Sequence, residues 1–209
     1  MILFDLDGTL IDSFEGIYSC YKKSIKSIGL CPVTRNDFKP KIGASFDKMI
    51  TKVHPEITEF KIISQIVKVF RDNYDRIGYK EYVIFEGIEK ILQKIENQDI
   101  AIGIVSNKKN QQVEEIMSKE FAEFKIEVHG KKDNTWSKVE ESKKLKQTRN
   151  ILAFVGDTQE DYNCAKEIGA KFIYAKYGYG ELKTSCKNYD ECKTTQEILK
   201  SIDRILNVN

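Results

Sequence analysis

The chain opens on a short apolar run, ILFDL at residues 2 to 6, that predicts a buried strand. Gly8 breaks it and Thr9 begins a turn. From Ser13 to about Ile77 the hydrophobic positions follow helical spacing instead. YSCYKKSIKSIGL predicts a helix that stops at Gly29, with Pro32 just beyond, and FDKMITKV and FKIISQIVKVFRDNY predict two more. Between the first two, RNDFKPKIGAS, with Pro40 and Gly43, reads as a loop. After Tyr82 strand and helix alternate. DIAIGIVS (99 to 106), FKIEVHG, NILAFVGD and AKFIYAKYG predict strands. EGIEKILQKIEN, QQVEEIMSKEF, a short segment from about Ser137, QEDYNCAKEIG and TTQEILKSIDRIL predict helices.

Strands that are apolar throughout, rather than on alternate residues, are covered on both faces. Together with the strand–helix alternation this predicts an α/β fold built on a parallel sheet. Ligands of such sheets bind at the carboxyl ends of the strands. The helical block reads as an insertion after the first strand. The expected organisation is a core of residues 1 to 12 and 82 to 209, with a helical unit of residues 13 to 81 inserted in it. The sequence shows no internal repeat and no low-complexity segment.

Three predicted strands end in polar residues: the first at Asp5 and Asp7, the second at Ser106 and Asn107, the third at Gly156 and Asp157 with Asp161 following. Any one of these could be a turn or a helix cap, and Asp161 could simply favour a helix N-terminus. Their arrival at one edge of one sheet points to a site. Two carboxylates as near as Asp5 and Asp7 repel unless a cation sits beside them. Asp5, Asp7 and Asp157 offer oxygen alone, which suits Mg²⁺, and Mg²⁺ held by few carboxylates can also accept a phosphate oxygen.

Composition narrows the alternatives. The 209 residues suffice for one or two domains with a real core. Lysine and arginine number 34 against 32 acids, a net charge of +2, too balanced to argue for a nucleic-acid partner or a membrane surface. No apolar stretch approaches the ~20 residues of a membrane span, and the acids at positions 5 and 7 interrupt what a signal peptide would need. The five cysteines, Cys20, Cys31, Cys164, Cys186 and Cys192, form no CxxC pair. They read as free thiols in a reducing cytoplasm. His54 and His129 have no partner at metal-ligand spacing, which argues against a histidine metal site.

With these residues in place, DLDGTLID resembles the first motif of the haloacid dehalogenase superfamily. IVSN at 104 to 107 resembles its second motif and VGDTQED at 155 to 161 its fourth, in matching order over the whole chain. The resemblance implies a Rossmann-like doubly wound core, an inserted C1-type helical cap and Mg²⁺ as cofactor. It implies Asp5 as a nucleophile that forms an aspartyl-phosphate, and Asp7 as general acid and base. Mg²⁺ would be held by the Asp5 side chain, the Asp7 carbonyl and Asp157, with Asp161 supporting. Ser106 would bond the transferred phosphoryl group, and Asn107 and backbone N–H groups near Gly8 would add phosphate contacts. The dehalogenases themselves lack an acid two residues after the nucleophile, so Asp7 favours phosphoryl transfer.

The family's third motif is a lysine, commonly in a Lys-Pro pair that opens a helix. No such pair precedes the third strand. The candidates are Lys131, Lys132 and Lys138. Lys138 follows Ser137 at a predicted helix start, with Glu140 placed for a capping box, and is favoured over Lys132, which has the spacing of the usual form. In the cap, KIGASFDKM at 41 to 49 matches the position of a substrate-specificity loop, with Gly43 the best match and Ser45 and Lys48 as further candidates. KYGYGEL, residues 176 to 182, resembles the segment after the last core strand of phosphoglycolate-phosphatase-like members, its glycines most simply making a turn.

The expected function is a cytoplasmic, monomeric or homodimeric Mg²⁺-dependent phosphatase acting on a small phosphorylated metabolite. A phosphomutase of the β-phosphoglucomutase type would use the same two aspartates but return the phosphoryl group to its substrate. A non-catalytic binding protein on this fold would carry a damaged first or fourth motif, and both are intact.

Overall fold

The structure, a computed structural model, describes residues 1–43, 46–183 and 188–207. It divides into two compact units. One comprises Met1–Ile11 and Ile84–Asn209, the other Asp12–Val83.

The first unit is built on six strands: β1 (Ile2–Phe4), β4 (Ile102–Lys109), β5 (Ile126–Lys131), β6 (Ala153–Gly156), β7 (Lys171–Ala175) and β8 (Asp190–Cys192). Their order is β5-β4-β1-β6-β7-β8, and every pair is parallel. The α/β class expected from the apolar strands is the class observed. β1 lies between β4 and β6, so the chain leaves it for opposite sides of the sheet. That is the switch point where a crevice forms at the carboxyl ends. The register fixes heights along it: Phe4 pairs with Ile104 on one side and Val155 on the other.

Helices α5 (Ile88–Glu96), α6 (Asn110–Glu120), α7 (Lys138–Thr148), α8 (Gln159–Glu167) and α9 (Thr195–Leu206) cover the sheet. Leu3, Val105, Phe154 and Phe172 bury one face against Leu145 of α7 and Cys164 and Ala165 of α8. Alternation turns Ile2 and Phe4, both essentially inaccessible, to the opposite face.

The second unit is helical: α1 (Phe14–Lys26), α2 (Arg35–Phe38), α3 (Phe46–Val53) and α4 (Phe60–Tyr74). Tyr21 stacks on Phe38 at 4.2 Å between centroids, and Phe70 on Tyr74 at 5.2 Å. Where the sequence predicts a loop, residues 35 to 41 form the turn of α2 and a 3-10 turn. Thr34 explains the difference, because its hydroxyl accepts from the Asp37 N–H and starts the helix. Two short strands also escape the hydrophobic pattern, β2 (Ile11–Asp12) and β3 (Val83–Ile84), paired where the chain passes between the units. Two residues are too few to show a period. Cys20, Cys31, Cys164 and Cys192 are free thiols, and Cys186 lies outside the described residues. Among the described residues no helix is long and apolar enough to cross a membrane.

Candidate active site

The carboxyl ends of β1, β4 and β6 deliver the acidic residues to one place. Asp5 follows β1, and its N–H donates to the Val155 carbonyl at 2.9 Å, which ties the end of β1 to β6. Asp157 follows β6 and is fully buried. The carboxylates of Asp5, Asp157 and Asp161 all lie within 4.8 Å of one another. No such cluster is expected in a folded protein without cationic compensation.

Lys138 supplies part of it. Its Nζ lies 2.9 Å from Asp5 Oδ1 and 2.8 Å from Asp161 Oδ1, with its side chain 2% exposed. The sequence places it through the helix cap: Ser137 accepts from the Glu140 N–H, so α7 begins at Lys138 and aims the lysine into the sheet edge. Lys132 is solvent-exposed and Lys131 ends β5 half-buried. Burial alone would drive the proton off Lys138, but Asp161 and Asp5 outweigh it and hold the ammonium well above the ordinary lysine range.

Asp161 caps a helix and also pairs with Lys138. It sits third in α8, where Thr158 forms a capping box with it, and its Oδ2 accepts from the Thr158 N–H at 2.9 Å and the Thr158 hydroxyl at 2.6 Å. Its Oδ1 holds Lys138. With both oxygens committed, Asp161 positions the lysine rather than facing a ligand.

Asp7 lies 3.0 Å from the ammonium of Lys108, a residue whose side chain is 1% exposed. The approach is close enough for an ion pair but lacks hydrogen-bond directionality, so Asp7 Oδ1 has no hydrogen bond among the described residues. Sequence reasoning missed Lys108 because it ended the second core strand at Ser106. β4 continues to Lys109, and its burial alternates: Ser106 and Lys108 inside, Asn107 and Lys109 outside. Reading a period of two through IVSNKK would have found the lysine. Ser106 is buried, and its hydroxyl accepts from the Lys108 N–H at 3.3 Å. Asn107 is exposed, and its amide donates to Glu160 at 2.6 Å.

Gly8 has φ +83°, and a Cβ there would stand 2.3 Å from Asp157 Oδ2, so only glycine lets the first loop close on this carboxylate. Its own N–H donates to the Ile11 carbonyl at 2.8 Å, which leaves close packing as its contribution. Gly43 belongs to the helical unit, as does the exposed Lys48 of α3, and Ser45 lies outside the described residues.

The charges of the site are unevenly compensated. Asp7 and Lys108 balance one another. Among the described residues Asp5, Asp157 and Asp161 share the ammonium of Lys138, one positive charge against three buried carboxyl groups. Desolvation pushes Asp157 up to about 7, with the Asp161 charge adding to it and backbone N–H groups opposing. Burial likewise drives Asp5 well above the carboxylate range; Lys138 pulls it back, and the charges of Asp161 and Asp157 raise it further. A divalent cation bound by oxygen ligands fits that deficit in charge and in donor chemistry.

The family model of the haloacid dehalogenase-like hydrolases matches residues 2–175. A phosphoglycolate phosphatase of Aquifex aeolicus is 27% identical over 198 residues, covering 90% of this chain and 90% of that protein. One from Vibrio vulnificus is 24% identical over 197 residues, covering 86% and 84%. The solved structure of a predicted phosphatase from Clostridium acetobutylicum shares the fold, with a TM-score of 0.83 at 22% identity over 97% of each chain. Strand topology, the cluster of aspartates at the switch point and these similarities agree: the chain belongs to the haloacid dehalogenase-like hydrolases and is phosphoglycolate-phosphatase-like among them.

Proposed function

We propose that this protein is a Mg²⁺-dependent phosphatase that hydrolyses a small phosphorylated metabolite through an aspartyl-phosphate on Asp5. The observation that carries the reading is the Lys138 ammonium bridging Asp5 and Asp161 beside the buried Asp157, with Asp7 held separately by Lys108.

The two carboxylates at the first strand end differ in surroundings and therefore in work. Asp5 is buried, and Lys138 fixes its Oδ1, which leaves Oδ2 to attack phosphorus. As the Asp5–phosphorus bond forms and the bond to the leaving oxygen breaks, Asp7 delivers a proton to that oxygen. Asp7 then takes a proton from the water that attacks phosphorus, releasing phosphate and restoring Asp5. Asp7 is suited to the exchange because its side chain keeps 23% exposure whereas Asp5 keeps 8%. Lys138 and the Ser106 hydroxyl offer hydrogen bonds to the phosphoryl oxygens. Asp5, Asp157 and the Asp7 carbonyl would hold Mg²⁺, which supplies charge neutralisation to the phosphoryl group when bound. The helical unit is positioned in sequence as a C1-type cap.

The relatives named above are phosphatases, so hydrolysis rather than mutase chemistry is the reading they support. Because those relatives are phosphoglycolate phosphatases, 2-phosphoglycolate is the first substrate to try. With Mg²⁺ present, phosphate release from 2-phosphoglycolate or from a panel of sugar phosphates is the expected result. Silence across that panel, or accumulation of a phosphate isomer without free phosphate, counts against the proposal.

The raised carboxyl of Asp157 gives a second test with a defined sign. In the unfolded chain an aspartate titrates near 3.9, so between about 4 and 7 the folded metal-free protein binds the extra proton. That contribution to stability is complete below the unfolded value and is lost as pH rises through about 7. Mg²⁺ takes the place of the proton. The rise in Tm on adding Mg²⁺ is therefore expected to be small at pH 5 and to grow towards pH 8. Thermal unfolding with and without Mg²⁺ at both pH values measures it, and a rise that is equal at both contradicts the metal assignment of Asp157.

A further inference from the structure

The glycines of KYGYGEL predict a turn, and the loop they form is bound to Asp157. Tyr179 N–H donates to Asp157 Oδ2 at 2.7 Å, and Gly180 N–H to the same oxygen at 3.3 Å. Among the described residues the other oxygen, Oδ1, receives the Thr9 hydroxyl alone, at 3.4 Å. The two oxygens are thereby made unequal, one held by two fixed donors and the other left with lone pairs to offer.

The loop that does this is itself anchored on three sides. Tyr174 OH donates to the Gly180 carbonyl at 2.6 Å, Lys176 N–H to the Cys192 carbonyl at 2.8 Å, and Tyr177 OH to the Thr9 carbonyl at 2.7 Å. Phe85 packs edge-on against the Tyr177 ring at 4.7 Å. Through Tyr177 the loop after β7 is tied to the loop after β1, which carries Asp7 and Gly8. Gly178 is absent from the residues with positive φ, so backbone conformation does not demand glycine there. Contact does: a Cβ at Gly178 would stand 2.4 Å from Asp157 Cβ and 2.4 Å from the Gly8 carbonyl oxygen.

We propose that residues 177–180 are an orienting clamp for Asp157, holding Oδ2 in backbone hydrogen bonds so that Oδ1 is the oxygen presented to the divalent cation. The clamp rests on the divalent-metal reading given above. Partners that orient a metal-binding carboxylate commonly change metal affinity by about 10- to 100-fold when removed. Tyr177 and Gly178 are positioning residues in this sense, because neither touches the reacting atoms.

The test is metal affinity measured without turnover, by titrating the full chain with Mn²⁺ under electron paramagnetic resonance and displacing it with Mg²⁺. Circular dichroism and Tm accompany each variant. Asp157→Asn is expected to lose most of the binding. Tyr177→Phe, which removes one hydroxyl and keeps the ring packed, is expected to weaken Kd about tenfold, and Gly178→Ala by more. If Asp157→Asn weakens binding while folded Tyr177→Phe and Gly178→Ala bind as the parent does, the metal site stands and the clamp is overturned. A lowered Tm with an unchanged Kd in Tyr177→Phe is the mark of a merely structural bond and also overturns it. If Gly178→Ala does not fold, Tyr177→Phe decides alone. Parent-like binding by Asp157→Asn removes the metal reading, and the clamp with it.

Discussion

Asp5→Asn is expected to reduce phosphate release by roughly three orders of magnitude or more, because the amide cannot form the acyl-phosphate and no neighbouring group can replace it. Asp7 is paired with Lys108, Asp161 is bound at both oxygens, and Asp157 has one oxygen held by the loop and the other assigned to the metal. The same substitution is expected to leave the fold intact and the metal-free protein at least as stable as the parent above pH 7. Burial pushes the Asp5 carboxyl upward, so its charge opposes folding there, and asparagine of equal size removes that charge. Lys138 keeps Asp161 as a partner. The expected pair of results, activity lost and stability kept or raised, separates a nucleophile from a structural acid. Initial rates with the best substrate and thermal unfolding measure it. Parent-like turnover in Asp5→Asn would remove the nucleophile assignment.

Lys138→Met should act in the opposite way, losing activity and stability together. Methionine fills similar space but leaves Asp5 and Asp161 buried with no cation between them. Breaking a buried ion pair by removing one partner costs about 3–5 kcal/mol. That cost should shrink as pH is lowered into the range where buried carboxylates take up protons, and the unfolding midpoints of parent and variant should converge there. Turnover should fall at least about a hundredfold, in line with loss of a preorganised charge at the reacting group. Lys132→Met is the control: the side chain is exposed, and neither rate nor Tm should move. Retained turnover in Lys138→Met, with loss in Lys132→Met, would transfer the third-motif role to Lys132.

The site also shows where hydrophobic patterning carries information and where it stops. Asp5, Asp157 and Ser106 could be placed because parallel strands covered on both faces are apolar along their length, so the first polar residue marks the end of each. Lys138 could be ranked above Lys132 because a capping serine has a local spacing that the sequence displays. Lys108 was hidden by its position beyond the last apolar residue of β4, although alternating burial continued through it. The turn of α2 was hidden by Pro40, which suggested a loop and in fact opens a 3-10 turn directly after the helix.

Legible in the chain alone are the alternation that builds a parallel sheet, the strand ends that carry the carboxylates, and the family whose motifs they form. Those are local properties, set by runs of a few residues and by the two backbone periods. Which charges meet is settled by the packing of the folded chain. Lys138 lies 133 positions from Asp5 in the chain and 2.9 Å away in space, and Tyr179 reaches back 22 positions to fix Asp157. No spacing rule encodes such pairs, because they depend on strand order and on how far each loop rises above the sheet. The excess of buried carboxyl groups over ammonium that suits a divalent cation exists only once β1, β6, α7 and α8 have been brought together.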